Sequence, residues 1–287
     1  MESRNNGPRL PPPWITPAAG RPGREVRPVI TVNRRRPPAG GGGTLGSFTA
    51  LGQTTRNWVG GTKLGSDVYY SVIGGSIYKQ TNGTGNFASL GSTVAPNRNY
   101  YGMASNGVDV YVTVFVSGDI YKQTAGAGNF IALGQTSRDY RGIACLGNDV
   151  YVVANGGDIY KQTAGTGAFL PLGQVSRGWM DIVAVGADLY AAVNGGDIYK
   201  QTAGIGNFIA LGQTSRPWTF GAVLGNDVYW STDPASGGGG GDIYKQTNKT
   251  GNFVGLGQTS RRWQGLVPVD TSLYAATIGD IYKAVAT

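Results

Sequence analysis

The sequence predicts an all-β protein, a six-bladed β-propeller with four-stranded blades, from three observations. The tripeptide Ile-Tyr-Lys occurs six times, at intervals of about 40 residues, which is typical of a propeller blade or a solenoid coil. Each interval contains four short strand-like segments separated by turn residues, as a propeller blade does. Glycine supplies 49 of the 287 residues and charged residues only 14%, a composition that favours short strands and tight turns over helices.

The third copy of the repeat shows how each blade divides into strands. Its four segments run over residues 140–146, 149–154, 158–163 and 168–173. The alternation of apolar and polar residues in Ile-Tyr-Lys-Gln-Thr has the period of two expected for a strand. We expect the Gly-rich links to be hairpin turns with positive φ rather than phosphate-binding loops, because no helix follows them.

The two ends of the repeated region are predicted to close the ring. The region begins with an isolated outer-strand segment at 48–51 and ends with a unit that lacks an outer strand of its own. Residues 48–51 should therefore pair with 281–283, which places the propeller domain at 47–287. Closure removes the exposed sheet edges that an open array of strands would present.

Residues 1–46 differ in composition from the rest and are predicted to be an extended, basic, Pro/Arg-rich arm that ends in a glycine hinge. They hold eight Arg and two Glu, so +6 of the formal net charge of +8 lies in this segment. Such a segment cannot bury enough apolar surface to fold alone. Two interpretations stay open: a disordered tail, or an anchoring arm that becomes ordered along a partner protein. The docking residues of such an arm would be Trp14, Ile15, Val29, Ile30, Val32, Arg34, Arg35 and Arg36.

An arginine and an aromatic residue recur two positions apart where each unit begins. An arginine beside an aromatic ring suits sugar hydroxyls, sugar rings or acidic sugar groups. The alternative for the aromatic residues is packing between blades. The alternative for the arginines is pairing with the aspartate of Asp-Val-Tyr, for example Asp67, Asp149 or Asp227. The candidate ligand-binding residues are Arg56, Trp58, Arg98, Tyr100, Arg138, Tyr140, Arg177, Trp179, Arg216, Trp218, Arg261 and Trp263.

Two further repeated positions have structural interpretations. An aspartate precedes Ile-Tyr in five of the six copies, and we expect it to accept hydrogen bonds from backbone amides of the turn. The lysine of each Ile-Tyr-Lys is predicted to lie in a solvated row near the edge of its blade. The aspartates are Asp119, Asp158, Asp197, Asp242 and Asp280.

Catalysis and metal binding find little support in the available residue types. The chain has no histidine, both glutamates lie in the arm, and the aspartates are spread evenly around the repeats. General acid–base catalysis and metal coordination need such side chains gathered at one place. We therefore predict a protein that is not an enzyme and holds no metal or cofactor. An arginine triplet is weak evidence for nucleic acid, so we do not expect nucleic acid as the partner.

Targeting signals are also sparse. No run of 18 apolar residues exists that could span a membrane, and the N-terminus has no apolar segment of an ordinary secretory signal peptide. The single cysteine, Cys145, excludes an intrachain disulfide.

The repeat resembles the tectonin and tachylectin type of propeller repeat over residues 48–287. The resemblance rests on the Gly-x-Ile-Tyr element, the aromatic residue that opens each unit, and the blade length. It implies a ring-shaped lectin that binds sugars or bacterial surface glycans at repeated sites. Tyrosine at two of the six aromatic positions and the Thr-Ser-Arg link depart from that pattern, so no sugar-binding residue is carried over.

The Gly-Asp-Ile-Tyr-Lys-Gln-Thr text is also similar to repeats in uncharacterised proteins of tailed bacteriophages. Together with the basic arm, this likeness implies a virion component that is assembled in the host cytoplasm.

Three functions follow from these features. The first, which we take as the prediction, is a phage virion attachment or structural protein. Its arm would dock on capsid or tail proteins, and its propeller would be displayed outward toward host-surface glycan. The second is a soluble carbohydrate-binding lectin whose arm is only a tail. The third is a purely structural capsid decoration protein that binds no glycan.

Overall fold

The computed structural model describes residues 44–91, 98–233 and 241–287. Within these ranges the regular structure is antiparallel strand, interrupted by short 3-10 turns, so the all-β prediction is confirmed. None of the described residues form a helix long and apolar enough to cross a membrane. The predicted arm-docking residues, from Trp14 to Arg36, lie outside the described residues.

Five consecutive segments each fold into a four-stranded antiparallel unit. Unit I contains β2 Arg56–Leu64, β3 Asp67–Gly75, β4 Ile77–Gln80 and β5 Ala88–Ser89. Unit II contains β6 Arg98–Ser105, β7 Val110–Val114, β8 Ile120–Gln123 and β9 Ile131–Ala132. Unit III contains β10 Tyr140–Leu146, β11 Asp149–Gly157, β12 Ile159–Gln162 and β13 Leu170–Pro171. Unit IV contains β14 Arg177–Val185, β15 Asp188–Gly196, β16 Ile198–Gln201 and β17 Ile209–Ala210. Unit V contains β18 Arg216–Leu224, β19 Asp227–Thr232, β20 Ile243–Gln246 and β21 Val254–Gly255.

The sixth unit is assembled from both ends of the described chain. Its strands are β22 Gln264–Val269, β23 Ser272–Ala276, β25 Ile281–Val285 and, as the outer strand, β1 Thr49–Ala50. Thr49 pairs with Lys283 and Ala50 with Tyr282, so the predicted pairing of the two ends is confirmed. A bridge from Leu45 to Ala286 extends this contact. Because Leu45 is also buried, the folded part begins at least two residues before the predicted boundary at 47.

A 3-10 turn follows the third strand in each of units I to V. In unit III the turn covers Thr163–Gly165, and Ala164 has φ of 52°. Gly165 and Gly167 also have positive φ, as the Ala-Gly-Thr-Gly text predicts. The other four turns are Thr81–Gly83, Thr124–Gly126, Thr202–Gly204 and Thr247–Lys249.

The six units follow one another through a repeated backbone junction. In each unit a glycine stands directly before the aspartate or serine that precedes Ile-Tyr, and that glycine pairs with the arginine that opens the next unit. Thus Gly157 pairs with Arg177, and the short strand β24 Ile278–Gly279 joins unit VI to Arg56 of unit I. The remaining junctions are Gly75–Arg98, Gly118–Arg138, Gly196–Arg216 and Gly241–Arg261.

The first strands of the units also contact one another in order. Strand β2 contacts β6, β6 contacts β10, and the series continues through β14, β18 and β22 back to β2. Four of these strands carry a glycine at the closest point. A Cβ added at Gly60 or Gly102 would overlap the backbone of the next first strand, so glycine allows this close approach. Six hydrophobic clusters of the described residues lie between adjacent units. One of them joins Trp58 and Tyr70 of unit I to Val267 and Tyr274 of unit VI.

Candidate functional site

The six aromatic residues of the predicted sites are buried. Their side chains are between 0% and 1% exposed. Trp179, for example, packs edge-on against Tyr199 of its own unit at 5.3 Å between ring centres and against Phe208 at 6.1 Å. These rings contribute to packing between strands and units, and a ligand on the surface would meet the neighbouring arginine instead.

Each of the six predicted arginines lies over the tyrosine of Ile-Tyr-Lys in its own unit. The distance from the guanidinium carbon to the ring centre ranges from 4.5 Å for Arg56 and Tyr78 to 5.2 Å for Arg98 and Tyr121. This geometry is a cation–π contact, which holds the side chain in place while its N–H edges stay available. The other four pairs are Arg138–Tyr160, Arg177–Tyr199, Arg216–Tyr244 and Arg261–Tyr282.

The alternative in which these arginines pair with Asp67, Asp149 or Asp227 is wrong. Each of those aspartates pairs with a lysine of its own unit, and the Lys161–Asp149 distance is 2.7 Å. Asp149 Oδ1 also accepts a hydrogen bond from the Ala164 amide at 2.8 Å. Although burial opposes it, these hydrogen bonds hold the pKa of Asp149 below its usual value.

The lysines are therefore not simply a solvated row. The hydrogen bond that Lys161 donates to Asp149 raises the pKa of Lys161, and the ammonium also lies 5.3 Å from the centre of the Tyr151 ring. Like Asp149, the corresponding aspartates of units I, II, IV and V bind both a lysine and the turn amide. This Asp–Lys pair connects the second strand to the third and caps the turn that follows.

The aspartates before Ile-Tyr accept hydrogen bonds from backbone amides, as predicted, and these amides belong to two separate segments of the chain. Asp158 Oδ1 accepts from the amides of Ile159 and Gln174, and its Oδ2 accepts from Gly173, at 2.7 to 2.8 Å. Each such carboxylate thus joins the start of the third strand to the link that leaves the outer strand.

The glutamine of the Gly-Gln-Thr-Ser-Arg link has a structural role that the sequence interpretation missed. Gln174 Oε1 accepts a hydrogen bond from the amide of Phe208 in the next unit at 2.9 Å. Gln53, Gln135 and Gln213 bind Phe87, Phe169 and Phe253 in the same way. The signal that could have revealed it is the constant spacing between this glutamine and the next outer-strand phenylalanine in three of these four pairs.

Two of the candidate arginines line clefts large enough for a small ligand. Arg138 lines a cleft of about 450 Å³ between units II and III, together with Lys122, Gln135 and Tyr140. Arg261 lines a second cleft of about 370 Å³ where unit VI meets unit I. Both volumes fall in the range of small-molecule sites.

The axis enclosed by the first strands holds one buried acid that the sequence interpretation did not single out. A cavity of about 50 Å³ is lined by residues of all six first strands, including Asp181. Asp181 is 7% exposed, and burial raises its pKa to about 7. The signal in the sequence is that Asp181 stands where four other units have glycine.

Among residues 44–91, 98–233 and 241–287, no group of three or more Cys, Asp or Glu side chains is placed to hold a metal ion. Cys145 is a free cysteine, and burial raises the pKa of its thiol to about 12. A thiol with that pKa is not a nucleophile near neutral pH.

Comparison with known proteins gives no family from sequence. No family model matches the chain, and no curated protein matches it. Solved structures match at the level of the fold. YCF48 bound to D1 peptide is 12% identical, with a TM-score of 0.59, over 84% of this chain and 95% of that chain.

Two enzymes resemble the fold of this chain about as closely as YCF48 does, as judged by TM-score. The PQQ-bound aldose sugar dehydrogenase from Streptomyces coelicolor is 15% identical, with a TM-score of 0.59, over 88% of this chain and all of that chain. The GH74 enzyme of Niastella koreensis is 16% identical, with a TM-score of 0.58, over 80% of this chain and 42% of that chain.

These neighbours are β-propeller proteins, so the propeller class of the prediction is confirmed. They include two enzymes and YCF48, whose structure has a D1 peptide bound. The fold alone therefore decides neither for nor against catalysis.

Proposed function

We propose that the folded part of this chain is a six-bladed propeller that binds carbohydrate and catalyses no reaction. Six blades are supported by the six four-stranded units, by the cyclic order of contacts between their first strands, and by the strand β1 that completes unit VI. The six-unit axial cavity around Asp181 is consistent with one ring. Class averages in electron microscopy with pseudo-sixfold symmetry would test the blade number.

The observation that carries carbohydrate binding is the set of six arginines stacked on tyrosines. None of the six forms an ion pair with a carboxylate within the described residues. A guanidinium held flat over a ring keeps its N–H edges free to donate to sugar hydroxyl or acidic groups. The candidate sites are therefore the arginine positions, and Arg138 and Arg261 each line a cleft.

The proposal that the protein is not an enzyme is supported by how the repeated carboxylates are used. Those of the Asp149 type bind a lysine and a turn amide, and those of the Asp158 type bind three backbone amides. Asp181, whose pKa of about 7 would suit a general acid, lies in the axial cavity with amides of Gly221 and Ile182 as its hydrogen-bond donors. A cavity of about 50 Å³ has room for one or two water molecules and none for a sugar.

Affinity would come from multiplicity. A single shallow sugar site binds with a dissociation constant of about 1 mM, or roughly 4 kcal/mol. Several sites on one ring could raise the avidity for a surface glycan by about 10²–10⁴. Removing one arginine should then weaken binding to a multivalent glycan only slightly.

The test is a glycan array and a host-polysaccharide pull-down with the full chain. We expect binding that a double Arg138→Gln, Arg261→Gln variant weakens more than a double Arg177→Gln, Arg216→Gln variant does, because only the first pair lines the two clefts. All four arginines stack on tyrosine in the same way, so the second variant is the matched control. An unmodified protein that binds no glycan would overturn the proposal and favour a purely structural decoration protein.

We propose further that this propeller belongs to a phage virion, with residues 1–46 as the segment that docks on capsid or tail proteins. The support is the charge of +6 on that segment, its apolar clusters around Trp14 and Ile30, and the similarity of the repeats to sequence repeats of tailed-phage proteins. A chain that starts at residue 44 keeps the strand β1 and should fold. If that shortened chain is still incorporated into phage particles, the anchoring role is wrong and a soluble lectin becomes the better assignment.

A further inference from the structure

The two clefts at the candidate arginines differ in the hydrogen-bonding groups that they leave unused. The cleft around Arg261, which we call the seam cleft, is lined by Thr55 and Gln53 from the link into unit I and by Arg261, Arg262, Thr277 and Asp280 of unit VI. It has a volume of about 370 Å³, enough for one sugar residue.

The seam cleft exists where unit VI departs from the repeat. Between the last second-strand residue that pairs with the third strand and the aspartate, unit VI has three residues, 277–279, whereas unit IV has four, 193–196. Both turns are closed by one backbone hydrogen bond, from Thr277 to Asp280 and from Val193 to Asp197. In unit VI this shorter segment lines the cleft beside Arg261.

The acceptors in the seam cleft are already used. Asp280 Oδ1 accepts from the amides of Gln53 and Ile281 at 2.7 Å, and its Oδ2 accepts from Gly52 at 2.9 Å. Gln53 Oε1 accepts from the Phe87 amide at 2.9 Å. Three amide donors compensate the negative charge of Asp280, so it offers little to a ligand donor.

Two donor side chains of the seam cleft, Arg261 and Thr55, have hydrogen-bonding groups left over. Arg261 is exposed and stacks on Tyr282, and it makes no ion pair within the described residues. Arg262 is paired through Nε with Asp233 at 3.0 Å, so Arg261 is the arginine of this cleft without a carboxylate partner within the described residues. Thr55 is exposed beside them and makes no hydrogen bond within the described residues. A ligand for this cleft must therefore supply acceptors and negative charge.

The cleft at Arg138 has a different balance. Its lysine, Lys122, is paired with Asp109 at 2.6 Å, and Arg138 donates a hydrogen bond to the hydroxyl oxygen of Tyr140. Fewer charged donors are therefore left over, which suits a neutral sugar.

We infer that the seam cleft binds an acidic sugar residue, with the carboxylate of a uronic acid accepting hydrogen bonds from Arg261. A guanidinium–carboxylate contact can be bidentate, and a hydrogen bond to a charged group contributes about 1.5–3 kcal/mol, which corresponds to a factor of about 10 or more in affinity. The inference rests on the proposed carbohydrate binding and narrows it to one site and one class of sugar.

The experiment compares glucuronic acid with glucose, its neutral counterpart, by NMR titration of the full chain with labelled arginine side chains. We expect glucuronic acid to bind about 10-fold or more tightly than glucose and to shift the Arg261 signals first. Arg261→Gln should abolish this preference, and Arg261→Lys, which keeps the charge, should retain part of it.

The control is Lys63→Gln, which also removes one positive charge, because Lys63 pairs with Asp270 and does not line the seam cleft. It should leave the preference unchanged, and thermal unfolding should show that all variants are folded. Equal binding of both sugars by the unmodified protein, or a preference that survives in folded Arg261→Gln, would overturn the inference while carbohydrate binding stands. If the unmodified protein binds no glycan on the array, the proposed function itself is overturned.

Discussion

Asp181 Oδ2 accepts a hydrogen bond from the amide of Gly221 at 2.8 Å, although the two residues belong to neighbouring units IV and V. The contact connects two first strands at the axis, where four of the other units have glycine at the position of Asp181. Because Asp181 is buried there, its charged form is costly, and its pKa rises to about 7 from a usual value of 3.8.

Because of this raised pKa, we expect the stability of the fold to decrease as pH rises. Between about pH 4 and pH 7 the folded state holds the proton on Asp181 more tightly than the unfolded chain does, so the stabilisation is complete at the acid end and is lost as pH rises through 7. Asp181→Asn should remove the slope and be the more stable protein at pH 8, by on the order of 3 kcal/mol. Urea unfolding of both proteins at pH 5, 6, 7 and 8 measures the free energy of unfolding and its dependence on pH.

The control for this prediction is Asp149→Asn. The pKa of Asp149 is lowered, so its stabilisation is present above the unfolded value and is lost only as pH falls below it. That variant should keep the wild-type slope between pH 5 and 8. The chain has no histidine to add a slope of its own. If the wild-type stability does not change over this range, Asp181 is charged in the fold and the prediction is wrong.

A second prediction concerns Ala164, which has φ of 52° in the turn after β12. Alanine adopts this left-handed conformation at a cost of about 1 kcal/mol, and asparagine tolerates it better. Units I and V already have Asn82 and Asn248 at this position. Ala164→Asn should therefore stabilise the protein by about 0.5 kcal/mol or more, measured as a rise in the urea midpoint. The reverse change, Asn82→Ala, should destabilise it by a similar amount, and a gain there would contradict the explanation.

The Asp149–Lys161 pair predicts an asymmetry between its two partners. Lys161→Ala removes only a partly exposed ion pair, worth about 0.5 kcal/mol. Asp149→Ala also leaves the Ala164 amide without its acceptor and should cost about 1–2 kcal/mol. Thermal unfolding at pH 7 compares the stability that each variant loses. The difference between the two losses should shrink as pH falls below 3.8, the usual pKa of aspartate, and Asp149 becomes protonated. Equal costs at pH 7 would mean that the turn amide finds another partner.

Closure of unit VI predicts a sharp limit for shortening the chain. A chain that starts at residue 44 keeps β1, the burial of Leu45 and the contact of Phe48 with Trp263 at 5.2 Å between ring centres. A chain that starts at residue 53 loses all three and exposes the edge of β25, which invites association. We expect the first to be monomeric with a cooperative melt and the second to aggregate, as judged by gel filtration and calorimetry. A soluble, cooperatively folding chain from residue 53 would show that β1 is dispensable.

The repeat positions that the sequence predicted well are those whose physics is local. The alternation of Ile-Tyr-Lys-Gln and the turn glycines of the third copy depend on strand and turn conformation, and they match β12 and the φ values of Gly165 and Gly167. The outer strand was predicted less well: six residues, 168–173, shrink to Leu170–Pro171. Only part of that segment pairs with β12, because the rest turns away toward the next unit.

The partners of repeated charged residues could not be predicted from spacing. Arg177 and Asp188 recur with the same period, and so do Lys200 and Tyr199, so periodicity does not say which side chains meet. The structure places the lysine on the aspartate and the arginine on the tyrosine. Asp188 and Lys200 lie on adjacent strands β15 and β16, whereas Arg177 lies at the start of β14, at the junction with unit III.

The sequence by itself determined the number of repeats, their four-strand division and the pairing of the two chain ends, because each follows from a period and from short-range conformational preferences. Only the tertiary structure decided what the repeated side chains touch. It also decided that the aromatic residues are buried, that Asp181 lies at the axis, and that Arg261 has a cleft beside it. These properties depend on how six similar units approach one another, and a side chain's burial and charge environment come from neighbours that are distant in sequence.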